Sequence, residues 1–207
     1  MYKQFSPNML KTFEHCPKMF NFKYKKNISM PVNDEIFEFG KNIHALASYY
    51  LRGENINKME KSLTTREQDV WKYLKSIKYF GYEVVGTEYN LSVKTDGYFF
   101  GGRLDALVKN EDRYFILDYK TGSVPNDAKY DFQTIIYILA VKEFFKTNNV
   151  SFVYIDLKNY DEVKIDFSTE LENEYIKRLI STAKKIELSG EFQKKNNCNC
   201  EYSKICF

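Results

Sequence analysis

The residues best suited to chemistry sit mid-chain, in Gly101-Gly102-Arg103-Leu104-Asp105 and in Ile116-Leu117-Asp118-Tyr119-Lys120-Thr121-Gly122. Apolar neighbours anchor each acid at a strand position, and if the two strands pair, Asp105 and Asp118 project into one cleft near the sheet end. Side chains alternate along a strand with period two, so Lys120 shares a face with Asp118. Mg²⁺ is typically held by one or two carboxylates together with substrate phosphate and water. Held there, Mg²⁺ or Mn²⁺ would neutralise a scissile phosphate and acidify a water, while the Lys120 ammonium orients that water or stabilises the developing charge. The chemistry implied is hydrolysis of a phosphodiester. Glu88, on the strand before Asp105, is a further acid that could contribute, and Arg103 suits contact with a phosphate or an acid better than catalysis.

The elements that must position these groups are legible in the periodicity. Ser6-Pro7 reads as an N-cap with proline at the first helical position, and Met9, Leu10 and Phe13 follow at helical spacing. Residues 35–51 place Ile36, Phe39, Ile43, Leu46, Ala47 and Tyr50 on one apolar face, which predicts a helix carrying His44. Residues 54–80 are helical in pattern, with Leu63, Val70, Trp71, Leu74 and Ile77 facing inward. The period then changes to that of strands over 82–94, 98–108 and 114–119, with turns at Thr95-Asp96-Gly97 and Asn110-Glu111-Asp112, which predicts an antiparallel meander. An apolar helix over 132–145 puts Gln133 and Tyr137 one turn apart on one face. Strands over 151–157 and 162–167 and a helix over about 169–188, ended by Gly190 as a C-cap, complete the reading.

Composition bounds the class. The chain has 207 residues, 43% of them hydrophobic and 29% charged, which fits a folded domain with appendages and excludes a disordered or fibrous chain. The net charge of +3 is too small to argue for a polyanionic partner, so attraction to DNA must come from local groups such as Lys23, Lys25, Lys26 and Lys129. No stretch approaches the ~20 apolar residues of a membrane span and no apolar h-region follows the start, so a cytoplasmic protein without membrane contact is expected. Of the four cysteines, Cys198, Cys200 and Cys206 crowd the last ten residues and Cys16 stands alone before Pro17. In a reducing compartment such a set points to metal ligation, either a 4Fe-4S cluster or zinc, and would tie the N-terminal helix to the C-terminus.

Order and spacing together resemble a PD-(D/E)XK nuclease of the RecB type, in which a Gly-x-x-Asp strand precedes an Asp-x-Lys-Thr-Gly strand. Gly40 to His44 fits the upstream Gly-x-x-x-His of that family, and Gln133 to Tyr137 fits its Gln-x-x-x-Tyr. The resemblance implies an α/β fold with a restriction-endonuclease-like mixed central sheet flanked by helices. It implies that His44, Asp105 and Asp118 ligate the metal with the backbone carbonyl of Tyr119, and that Gln133 and Tyr137 line the DNA side. The Cys-Pro near the start and the three tail cysteines resemble the iron–sulfur members of the family, including the CRISPR-associated and AddB-like ones, although Cys198-x-Cys200 departs from the usual Cys-x-x-Cys. The expected organisation is one domain over 1–207. Within it, 1–34 and 190–207 bind the cluster, 35–81 is helical, 82–168 is the catalytic core and 169–189 is a final helix. The implied activity is an exonuclease on single-stranded or frayed DNA, working beside proteins of CRISPR adaptation, recombination or repair, with oligomeric state open. A non-catalytic DNA-binding or assembly subunit is the alternative.

Overall fold

A computed structural model describes residues 4–31, 34–196 and 200–206; Cys198 lies outside the described residues. Strand β1 (Gln4–Phe5) leads into α1 (Pro7–His15), where the Ser6 hydroxyl accepts the Met9 N–H as N-cap, and α2 (Pro17–Phe20) follows directly. Then come α3 (Asp34–Leu51), α4 (Asn57–Ser62) and α5 (Thr65–Ser76). The strands β2 (Glu83–Thr95), β3 (Tyr98–Asn110) and β4 (Arg113–Lys120) form the expected antiparallel meander. Helix α6 (Phe132–Phe145) crosses over to β5 (Val150–Asp156), which pairs parallel to β4, and β6 (Asp161–Asp166) and α7 (Thr169–Leu188) follow. The result is a six-stranded mixed sheet with helices on both faces.

Alternation along the strands sorts the core into two layers. On β4, Phe115, Leu117 and Tyr119 pack with α3 and α5 through Ile43, Leu46, Val70, Trp71 and Leu74. Ile116 packs on the opposite face with Phe132, Ile135 and Ile136 of α6 and with α1 and α7. The sheet is therefore buried on both sides, which is why every residue of β5 is buried and its apolar residues do not alternate with polar ones. None of the described helices is long and apolar enough to cross a membrane.

One long strand organises the sheet. β3 pairs along its length with β2, but on its other edge Phe99 and Phe100 meet β1, and residues from Ala106 onward meet β4. The edge between, 101–105, has neither neighbour in the ladder. Gly101 is required there because a Cβ would stand 2.4 Å from the Leu91 carbonyl oxygen of β2. Gly102 leaves room for the Tyr137 hydroxyl, which a Cβ would approach to 2.8 Å. By contrast, Gly190 is not the cap of α7: Ser189, in extended conformation, holds that position and Gly190 has no left-handed backbone.

Helix α5 begins with a full capping box, in which Glu67 accepts the Thr64 N–H at 2.8 Å and the Thr64 hydroxyl accepts the Glu67 N–H at 3.3 Å. The same carboxylate accepts from Asn42 of α3 at 3.0 Å, so one buried acid fixes the two helices to each other. Burial disfavours its charge, yet the hydrogen bonds from Thr64 and Asn42 outweigh that and hold the carboxyl below its ordinary range. Its contribution is present above the unfolded value and lost as pH falls through the lower folded one. Thr64→Ala should cost about 1 kcal/mol, lowering the melting temperature by about 2–4 °C. Glu67→Gln should destabilise at neutral pH by thermal melt, with the gap to the parent closing in acid below about pH 4; a gap independent of pH would contradict this assignment.

Candidate active site

At the open edge of β3 the regular strand is broken twice. Glu88 of β2 has φ 50° and sits opposite Asp105, between the pairs Thr87↔Ala106 and Tyr89↔Leu104. Alternation on β3 slips at the same place, since Leu104 and Leu107 belong to the same core layer. A non-glycine residue in left-handed backbone is strained, and such strain concentrates where function over-determines the geometry. The slip aims Asp105 at His44 of α3, with His44 Nδ1 3.3 Å from Asp105 Oδ1. The other Asp105 oxygen accepts the Tyr119 N–H at 2.9 Å, so a side chain takes the place of the ladder partner that β4 loses as it leaves β3.

His44 Nε2 lies 3.0 Å from the Tyr119 carbonyl oxygen. A carbonyl only accepts, so this nitrogen carries a proton. Burial works against the imidazolium, but Asp105, Asp118 and the Tyr119 carbonyl together raise the His44 pKa above its ordinary value. Among the described residues, His44, Glu88 and Asp105 are the group whose donor atoms all lie within 4.8 Å of one another. An imidazole with carboxylates fits a divalent first-row ion.

Asp118 and Lys120 leave β4 on the face of α6. The Lys120 ammonium lies 2.7 Å from Asp118 Oδ2 and donates to Gln133 Oε1 at 3.0 Å, while Gln133 Nε2 donates to Asp118 Oδ1. The same ammonium rests 5.3 Å from the centre of the Tyr154 ring. Asp131, the N-cap of α6, places Gln133 by accepting its N–H at 2.8 Å, and is itself paired with Lys11 at 2.8 Å. Asp118 is buried; burial, then the charge of Asp105, push its carboxyl up to about 6, against the opposing pull of Lys120 and His44.

The expected residues therefore assemble in two linked halves. His44, Asp105 and the Tyr119 carbonyl form one, joined by Glu88; Asp118, Lys120 and Gln133 form the other. Tyr137 is buried, and its hydroxyl donates to the Arg103 carbonyl at 3.0 Å, so it steadies the unpaired edge of β3 from beneath. Arg103 is exposed and pairs with Glu88 at 2.7 Å. Tyr154 and Asp131 were not singled out in the sequence; a tyrosine in an apolar strand run and an acid before a helix carry no signal of a distant lysine. The first half opens on a cavity of about 770 Å³ between α3 and the β2–β3 edge, lined by His44, Glu88, Arg103 and Asp105, while Asp118, Lys120 and Gln133 lie behind it and are not part of its lining.

Cys16, Cys200 and Cys206 are not among the residues of this site. Cys16 and Cys206 are buried and Cys200 is half-buried. The tail packs on the N-terminal segment: Tyr202 stacks on Phe22 at 5.4 Å, its hydroxyl donates to the Ile28 carbonyl at 2.6 Å, and Lys194 donates to the Cys206 carbonyl at 3.1 Å.

The electrostatics have a measurable consequence. Asp118 titrates near 4 in an unfolded chain and at about 6 in the fold, so between those values the folded state holds the extra proton and stability falls as pH rises. Asp118→Asn should raise the melting temperature of the metal-free protein at about pH 7.5, and the gain should vanish below about pH 4. A lower midpoint at neutral pH would mean that Lys120 already satisfies the charge.

Comparison with known proteins identifies the family and the fold. The family model described as PD-(D/E)XK nuclease superfamily matches residues 56–207, a span that holds Asp105, Asp118, Lys120 and Gln133 and begins after His44. The chain is 29% identical over 160 residues to the CRISPR-associated exonuclease Cas4 of Francisella tularensis subsp. novicida (strain U112), covering 75% of this chain and 76% of that one. Its fold is similar to the crystal structure of a candidate exonuclease from Eubacterium rectale, with a TM-score of 0.62 at 12% identity over 96% of this chain and 86% of the other. With the sheet, the acid–lysine strand and the family match in agreement, this chain belongs to the PD-(D/E)XK nuclease superfamily.

Proposed function

We propose that this chain is a Mg²⁺- or Mn²⁺-dependent deoxyribonuclease, an exonuclease that works on single-stranded or frayed DNA ends. The observation that carries the reading is the group of His44, Glu88 and Asp105 lining one cleft, with the Asp118–Lys120–Gln133 cluster close enough behind it for Asp105 and His44 to act on the Asp118 charge. His44, Asp105, Asp118 and the Tyr119 carbonyl would hold the ion, which when bound supplies Lewis acidity and an acidified water. Asp118 and Gln133 hold the Lys120 ammonium in place, and its charge would stabilise the charge that develops on cleavage. Arg103, exposed beside the donors, takes a flanking phosphate. The products are a 5′-phosphate and a 3′-hydroxyl.

The wider setting follows the same support. Likeness to a CRISPR-associated exonuclease favours work on DNA in CRISPR adaptation, recombination or repair, inside the cytoplasm. The packing of the tail on the N-terminal segment favours Cys16, Cys198, Cys200 and Cys206 as ligands of a 4Fe-4S cluster, with zinc as the alternative, inside one domain spanning 1–207. A brown anaerobic preparation with visible absorption supports iron; a colourless, zinc-loaded one removes it.

End-labelled single-stranded DNA tests the enzyme reading. The parent should degrade it in Mg²⁺ or Mn²⁺, with Mn²⁺ effective at the lower concentration because an imidazole ligand favours it. Asp118→Ala and Lys120→Ala should each lower the rate by about a hundredfold or more. Rates unchanged in both would remove the assigned centre, and a parent that binds DNA without cutting it would leave a non-catalytic binding subunit.

A further inference from the structure

The cleft does not end at the metal donors. Phe37, Lys41, His44, Ser48 and Tyr49 of α3, with Arg52 in the turn just past its end, line it as one stripe. At about 1.5 Å per residue the stripe is roughly 22 Å long, and Arg52 stands about 12 Å beyond His44. The far end is built with care. The Arg52 guanidinium lies 4.7 Å from the centre of the Tyr49 ring and is held by Ser48 Oγ at 3.0 Å, Thr87 Oγ1 at 3.3 Å and Glu54 at 2.6 Å. Ser48 in turn donates to Thr87 at 2.8 Å, which ties α3 to β2 beneath the pair.

The neighbouring tyrosines divide the work. Tyr50 packs against Trp71 at 5.2 Å and Phe80 at 5.9 Å, so it belongs to the helical layer. Tyr49, one residue earlier and about 100° round the helix, is 39% exposed and turned into the cleft. An aromatic ring backed by a fixed guanidinium offers a flat, cationic face, which is what an unpaired base stacks on. A base inside a duplex already spends its faces on its neighbours and cannot lie there.

We propose that Tyr49 and Arg52 form a base-stacking subsite for single-stranded DNA, engaging a nucleotide beyond the scissile one while Lys41 and Arg103 flank the intervening phosphates. The proposal rests on the nuclease reading of the same cleft and adds to it where the strand runs and why it must be unpaired.

Equilibrium binding tests it without depending on turnover. Fluorescence anisotropy with a labelled oligothymidylate, in the Lys120→Ala background to prevent cutting, should show Tyr49→Ala weakening affinity by about tenfold, with Tyr49→Phe close to the parent, because stacking is lost only in the first. A single abasic nucleotide moved along the strand should weaken binding at one position in the parent and at none in Tyr49→Ala. Unchanged affinity in Tyr49→Ala, or an abasic scan that is flat in the parent, overturns the subsite. If the parent binds with this pattern yet never cuts, the nuclease reading falls and the subsite stands; if it cuts while Tyr49→Ala binds as tightly, the subsite alone falls.

Discussion

The site exists because two paired strands separate. β3 and β4 share a ladder as far as Ala106↔Leu117, after which β4 continues along β5 as far as Lys120↔Asp156 and β3 is left with an open edge. A buried backbone group cannot be left without a partner, and the Asp105 carboxylate takes over for the missing strand by accepting the Tyr119 N–H. That single substitution of a side chain for a ladder partner fixes Asp105 beside the Tyr119 carbonyl, and His44 completes the ring from α3. Glycine at 101 and 102 lets the open edge run this close to β2 and α6.

Charge follows from the same geometry. Asp118 and Lys120 emerge on the α6 side of β4 and Asp105 on the α3 side, so acids from two faces meet at the end of the sheet. Burial and mutual repulsion raise the Asp118 carboxyl, and the acids raise His44, so without a metal ion the site favours holding protons. Such a site gives up stability to remain receptive to a cation, the usual trade at functional positions. Gln133 bonds both Asp118 and Lys120 and so fixes the geometry of their direct ion pair at 2.7 Å.

Much of this was legible in the residues. The meander, the apolar helix over 132–145 and the shared face of Asp118 and Lys120 followed from period two and period 3.6, while Gln133 entered through the resemblance to RecB-type nucleases. What periodicity could not reach were departures from it: the slip at Asp105, the left-handed Glu88 opposite, and Tyr154 beneath Lys120. These depend on strands distant in sequence, and strict alternation has no term for a bulge. The resemblance put Tyr137 on the side lining DNA; in the fold it is buried and its hydroxyl holds the Arg103 carbonyl. Gly190 looked like a helix cap because glycine usually is one, but Ser189 ends α7 in extended backbone and leaves Gly190 no left-handed position to fill.

Binding of Mn²⁺ to the purified chain, followed by titration calorimetry in two buffers of different ionisation enthalpy, addresses the parted strands most directly. One ion should bind between them with release of protons, more tightly at about pH 8 than at pH 6, and the affinity should fall by tenfold or more in both His44→Ala and Asp105→Ala. Undiminished binding in both variants, or binding with no protons released, would contradict the account.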